Sequence, residues 1–243
     1  MTDLADTIDS PLPVRDRRQK RLDRWRRPLV TRWDRLRAWT NMVFVDHGFF
    51  RMVYLNLHRV SERAWRSAQP TPYQIRLLAR RGIRTVVSLR GGQSFGSLPL
   101  EIEACREAGV HFETFVMRSR AIPTKDEIRA MKALFRRLEY PVLFHCKSGA
   151  DRAGMMAAMY LVLHEGRTVA EARRQLHLRF GHVRHGKTGV LGAFFDAYER
   201  DHPDGAVPLS EWVETRYDPK AITEGFRPLG IGVFATDRLL RRE

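Results

Sequence analysis

Cysteine is scarce: only Cys105 and Cys146 occur in 243 residues. Two thiols exclude a disulfide framework in a chain of this size and fit a reducing compartment. Long apolar runs are missing as well, and no uncharged stretch of the length a spanning helix needs is found. Asp3, Asp6 and Asp9 stand where a secretory signal would carry cations followed by an apolar run, so no signal peptide is read. The expected location is the cytoplasm, with peripheral attachment at the inner face of a membrane as an open extension. Acidic residues are outnumbered, with 28 Asp and Glu against 43 Lys and Arg and a formal net charge of +15. Neither internal repeats nor low-complexity tracts are found. Hydrophobic residues make up 43% of the chain, enough for a folded core.

The charge is unevenly placed. Residues 15–37 contain eleven Arg/Lys and three Asp, a local excess of 11 − 3 = +8, interleaved with Trp25 and Trp33. An anionic partner is expected there: a membrane surface first, nucleic acid second, with a solvated tail as the plain alternative. Residues 1–14 read as a disordered polar tail. Residues 38–57 are richly apolar, interrupted by Asp46, His47 and Arg51. They read either as an amphipathic, interfacial helix or as a segment packed on the main domain. The expected division is 1–59 as basic arm and amphipathic segment, 60–202 as the main domain, and 203–243 as a C-terminal extension with four prolines.

From residue 60 the punctuation is regular. Thr71-Pro72-x-Gln74 is a capping box with proline at the first helical position, and Gly82 ends that helix. Residues 83–89 read as a strand broken at Gly91-Gly92-Gln93, 99–108 as a helix closed by Gly109, and 110–117 as a strand. Thr124-x-x-Glu127 opens a helix with Ile128, Met131, Leu134, Phe135 and Leu138 on one face. Residues 141–144 form a short apolar strand, and helices follow at 153–164, 168–179 and 189–200. Alternating strands and helices imply an α/β fold, a central mostly parallel sheet flanked by helices.

The strongest motif is His145-Cys146-Lys147-Ser148-Gly149-Ala150-Asp151-Arg152. A strand enters it and a helix leaves it. Amides of a tight loop at a helix N-terminus bind a tetrahedral anion. The same dipoles and Arg152 stabilise negative charge on the Cys146 sulfur. Arg152 can hold two phosphoryl oxygens in a bidentate fork. Gly149 turns the backbone without obstructing the anion, and His145 orders the loop from behind. Lys147, Ser148, Gly149 and Ala150 complete the phosphate cradle. The expected reaction is attack of the Cys146 thiolate on phosphorus, giving a phosphocysteine that water hydrolyses. Cys105, between Ile102 and Ala108 on a helical face, reads as core packing.

His145-Cys146-x5-Arg152 resembles the phosphate loop of the protein-tyrosine and dual-specificity phosphatase superfamily, over roughly residues 60–200. Trp65-Arg66-Ser67-Ala68-Gln69-Pro70 and Val86-Val87-Ser88-Leu89-Arg90 resemble its bacterial dual-specificity-like branch. The resemblance implies a phosphotyrosine-phosphatase-like fold, Cys146 as nucleophile, and Arg152 with the loop amides as the phosphate site. Two departures stand out. Ala153 replaces the Ser or Thr that usually follows the arginine, and residues 114–121 contain no acid where the superfamily usually carries its general-acid Asp.

Asp151, inside the loop, is the first candidate acid, because Lys147…Asp151-Arg152 resembles lipid-directed members of the superfamily. Asp126 is the second and Glu113 the third. Arg118, Arg120 and Lys187 are candidate substrate contacts, Lys187 closing the basic loop that starts at Gly181. No metal ligand set and no cofactor motif is read. The leading expectation is a cysteine-dependent phosphomonoesterase acting on a membrane lipid phosphate or another strongly anionic substrate. The alternatives are a protein tyrosine or dual-specificity phosphatase and a phosphate-binding pseudophosphatase. A sulfurtransferase fits the arginine less well. The sequence does not give the oligomeric state.

Overall fold

The computed structural model describes residues 24–91, 95–203 and 205–228. The expected tail at 1–14, the first part of the basic arm, Gly92-Gln93 and the end of the C-terminal extension lie outside the described residues.

Five strands form one sheet: β1 (His58–Arg59), β2 (Ala64–Ala68), β3 (Thr85–Ser88), β4 (His111–Thr114) and β5 (Val142–Cys146). Their order is β1-β2-β5-β3-β4, with β1 antiparallel to β2 and every other pairing parallel. The β1–β2 pair was not read from the sequence, and the strands expected at 83–89 and 110–117 are shorter than their apolar runs. β5 is central, and all five of its residues are buried, as a parallel strand covered on both faces requires.

Side-chain alternation divides the core. Val86 and Leu143, opposite one another, join Ile75, Leu78 and Cys105 on one face. That face is covered by α3 (Pro72–Arg80) and α4 (Ser97–Glu107). Val87 and Phe144, the next pair, join the larger cluster on the other face with Met131, Phe135, Met155 and Tyr160. α5 (Lys125–Arg137) and α6 (Asp151–Leu163) supply that side, with α8 (Val190–Asp201) beyond them. Burial is complete along residues 151–161 of α6, so the helix leaving the cysteine loop is the hub of the core. The capping boxes at Thr71/Gln74 and Thr124/Glu127 are both formed. α9 (Leu209–Thr215) buries Leu209, Trp212 and Val213 in this same cluster, and α10 (Pro219–Gly225) follows it.

Two expected helices are broken. The segment read as one helix over 168–179 is a four-residue turn, α7 (Val169–Ala172), followed by 3-10 turns at Arg173–Gln175 and Leu178–Phe180. Tertiary contacts override its periodicity: the Gln175 carbonyl accepts a hydrogen bond from Arg66 and lies where a side chain on Gly154 would collide. Likewise 38–57 is no single helix. α1 (Arg32–Thr40) runs into a π-helical turn (Asn41–Val45), and α2 (Gly48–Val53) starts after a left-handed His47 at φ 55°. The break falls at Asp46, whose carboxylate is buried among cations. α1 packs on α4: Ala38 and Met42 share a cluster with Trp25 and Leu100, and Asn41 Oδ1 accepts from the Gly96 amide at 2.7 Å. No helix among the described residues is long and apolar enough to cross a membrane.

Candidate active site

Cys146 ends β5 beside Ala68, the end of β2, and the loop after it turns directly into α6. The C-terminal ends of parallel strands are where such a sheet offers a crevice. A cavity of about 770 Å3 lies there, with Cys146, Lys147, Ser148, Ala150, Asp151 and Arg152 on its wall.

The loop's carbonyls show how it is aimed. The Lys147 carbonyl accepts from the Gln69 amide at 3.4 Å. Ser148 O accepts from Asn56 Nδ2 at 3.0 Å. Gly149 O and Ala150 O both accept from Arg66 Nη2, at 2.7 and 2.8 Å. Four consecutive carbonyls are therefore held by groups outside the loop. A trans peptide sets its N–H opposite its C=O, so the amides of Ser148, Gly149, Ala150 and Asp151 turn the other way and form a nest for an anion. Gly149 is at φ 75°, and a Cβ there would lie 2.5 Å from Ala68 N, so any other residue strains the backbone and forces the loop to shift.

Arg66 is fully buried within β2. Burial pulls its guanidinium down to about 10, against the opposing charges of Cys146 and Asp151. It also spans to Gln175 Oε1 at 3.1 Å and lies over the Phe180 ring at 4.4 Å. A positive charge is thereby fixed behind the nucleophile.

His145, also fully buried, has Nε2 2.8 Å from Glu101 Oε1 of α4. Glu101 Oε2 accepts from Gln69 Nε2 at 2.7 Å, and Gln69 Oε1 accepts from Arg90 Nη1 at 2.5 Å. Arg90 in turn holds both oxygens of Asp46, at 2.7 and 3.0 Å. Asp46 also takes Arg51 Nη2 at 2.9 Å and the Ser97 hydroxyl at 2.8 Å, and lies 3.8 Å from Lys147 Nζ. Burial pushes the Asp46 carboxyl up; Arg90, Arg51 and Ser97 together outweigh it and hold the group at about 2. A buried polar chain thus runs from the residue before the nucleophile to a carboxylate on the cavity wall.

The candidate acids separate. Asp151 is buried on the cavity wall, its Oδ1 2.8 Å from His182 Nδ1. Asp126 points away on the first turn of α5, paired with Arg129 at 2.7 Å. Glu113 is paired with Arg137 at 2.5 Å. From the 114–121 loop it is Ser119 that lines the cavity; Arg118 lies 3.4 Å from Glu127, and Arg120 is not on the wall. Lys187 opens a 3-10 turn, Lys187–Gly189, away from the lining, while Gly181 of the same basic loop is part of it. Ala153 is wholly buried, so the position after the arginine faces core. Among the described residues no three His, Cys, Asp or Glu side chains cluster as metal ligands.

The cavity wall also carries apolar and aromatic side chains, Phe49, Phe50 and Tyr54 from α2 and its end and Leu178 and Phe180 from the 3-10 turn, with Arg179 between the last two. His182 belongs to the basic loop 181–187 that the sequence offers as a border of the pocket, whereas Asp46, Arg51, Asn56, Arg66 and Glu101 were not singled out from the sequence as site residues. Their one signal was polarity out of place: a charged Arg66 amid apolar strand residues, and Asp46 and Arg51 inside the apolar 38–57 run.

A model of the family described as DSP-PTPase phosphatase fused to NAD+ kinase matches residues 50–188, more than half of the chain. The dual specificity protein phosphatase TpbA of Pseudomonas aeruginosa strain UCBPP-PA14 is 33% identical over 115 residues, 46% of this chain and 49% of that protein. The chain thus spans about half the length of the curated relatives it matches. The crystal structure of P. aeruginosa TpbA aligns at 25% identity with a TM-score of 0.43, covering 70% of this chain and 89% of that one. The structure of Tk-PTP in the active form aligns at 19% identity and a TM-score of 0.43, covering 71% and 99%.

Proposed function

The chain belongs to the DSP-PTPase phosphatase family whose model matches it, and from that membership we propose that its 145–152 loop hydrolyses phosphate monoesters through a phosphocysteine. The observation that carries this reading is the pinning of four consecutive loop carbonyls by groups outside the loop, which turns the amides of residues 148–151 the opposite way. Those amides and the Arg152 fork hold the phosphoryl oxygens. Cys146 Sγ attacks phosphorus in line, the P–O ester bond breaks, and the departing oxygen takes a proton from Asp151. Water then attacks the phosphocysteine, returning a proton to Asp151 and releasing inorganic phosphate with the thiolate.

Asp151 is assigned the acid role by its surroundings. The other carboxylate of the wall, Asp46, is held at about 2 and stays anionic at neutral pH. It orients Arg90, Arg51 and Lys147. His182 fixes the Asp151 carboxyl. Cys146→Ser abolishes phosphate release while phosphate still binds. Asp151→Asn lowers turnover of an alkyl phosphate by about 10²–10⁴-fold and that of nitrophenyl phosphate far less, because nitrophenolate leaves unaided. An equal loss on both substrates refutes the acid role.

The substrate class we propose is a lipid phosphate monoester. A cavity that combines Lys147 and Arg152 with Phe49, Phe50, Tyr54, Leu178 and Phe180 fits a phosphate attached to an apolar body. The second reading, a phosphoprotein substrate, is favoured by the name of the Pseudomonas relatives, dual specificity protein phosphatase. Phosphate release from dispersed lipid phosphates and from phosphopeptides separates them: turnover of peptides alone refutes the lipid reading, and no release from any ester leaves a binding module.

A further inference from the structure

The cavity mouth is bordered by an apolar lip with nothing over it among the described residues. Phe44 and Val45 of the π-helical turn and Phe50, Met52 and Val53 of α2 are exposed, Phe44 at 71%, Phe50 at 65% and Val53 at 90%. The lip is rigidly held. In the same helix Arg51 turns inward to Asp46, and Gly48 approaches the Met42 carbonyl so closely that a Cβ would lie 2.5 Å from it. Phe49 and Phe50, with ring centroids 4.0 Å apart, are at once half-exposed and part of the cavity wall. The lip is therefore continuous with the site. Folded chains do not ordinarily hold so many large apolar side chains outward in one patch without a partner.

The chain leading to this lip is cationic. Arg24, Arg26, Arg27, Arg32 and Arg37 are exposed, with Trp33 and Leu36 exposed among them, inside the stretch whose net charge is +8. Apolar and aromatic side chains beside arginines are the pairing that anionic bilayer interfaces select. A second copy of the chain fits poorly, since two-fold pairing at this patch brings like charge toward like charge.

We propose that residues 44–54 dock into the interface of an anionic bilayer, with the mouth of the Cys146 cavity facing the headgroup layer. A lipid phosphate then reaches the cysteine without its chains leaving the membrane. The docking stands on this surface alone; its service to turnover rests on the phosphatase reading above.

The test uses the full chain and co-sedimentation with phosphatidylcholine vesicles, with and without phosphatidylglycerol. Binding is expected with the anionic lipid and is reduced at high salt. The triple variant Phe44→Ser, Met52→Ser, Val53→Ser changes three outward residues that lie off the cavity wall. It is expected to lower the bound fraction at least about tenfold while turnover of nitrophenyl phosphate is retained. Separately, Val53→Trp is expected to show a blue shift of its emission over that of the parent chain when vesicles are added. Three results overturn the docking: no vesicle binding, binding indifferent to the triple variant, or a dimer that the variant dissolves in place of any membrane binding. Vesicle binding without nitrophenyl phosphate turnover keeps the docking and removes the phosphatase reading.

Discussion

Replacing Asp46 with asparagine removes one negative charge from a buried site that three cations share. Arg90 and Arg51 contact the carboxylate at 2.7 and 2.9 Å, and Lys147 lies at 3.8 Å. The carboxyl sits at about 2 in the fold against an ordinary value of 3.8. That lowering is worth about 2 kcal/mol of stability. The sign follows from a folded value below the unfolded one. The contribution is complete above the unfolded value, still nearly whole at pH 5, about halved near pH 3, and lost as pH falls through about 2. Asp46→Asn lacks this contribution at every pH and leaves Arg90 and Arg51 facing each other, so at pH 7 the loss is expected to reach about 3–5 kcal/mol. Urea unfolding of both proteins at pH 7, 5 and 3 measures it. The gap between them stays constant from 7 to 5 and narrows by about 1 kcal/mol at 3. A gap that ignores pH, or grows as acid is added, refutes the assigned electrostatics.

Three further outcomes are expected. Gly149→Ala places a methyl against the Ser67 and Ala68 backbone and tilts the loop amides, lowering kcat/KM for nitrophenyl phosphate by about 10²–10³-fold with an unchanged far-UV spectrum; wild-type turnover sinks the nest. Arg66→Lys keeps the charge but cannot reach Gly149 O, Ala150 O and Gln175 together, so urea unfolding should show a loss of about 1–3 kcal/mol for each orphaned carbonyl along with slower turnover. Iodoacetate at neutral pH should modify Cys146 alone, with protection by vanadate, because burial and the Glu101 charge push the Cys105 thiol up; peptide mapping that finds Cys105 alkylated in the native protein contradicts this packing.

The central elements were legible because their signals are local. Thr71-Pro72-x-Gln74 and Thr124-x-x-Glu127 advertise their helices within four residues, and the cysteine loop carries its nucleophile, glycine and arginine in one octapeptide. What stayed hidden is pairing across the chain. Asn56 serves a carbonyl 92 residues away and Arg66 one 83 away, while Arg90 meets Asp46 across 44. No periodicity records such distances. The helix expected at 168–179 failed for a related reason: its sequence favours a helix, but the Gln175 carbonyl is bonded by Arg66 and packs against Gly154, and the tertiary contacts win.

The outward pinning of the loop has a consequence for how the protein loses activity. Its donors come from two separate segments, Asn56 and the stretch from Arg66 in β2 to Gln69 just after it, and the polar chain behind His145 ends at Asp46 in a third. The pocket is thus an emergent property of the assembled tertiary structure, and a partly opened chain has no weakened version of it. Inactivation by mild denaturant should precede global unfolding and follow release of residues 46–56, which makes catalysis the most sensitive gauge of whether that segment is in place.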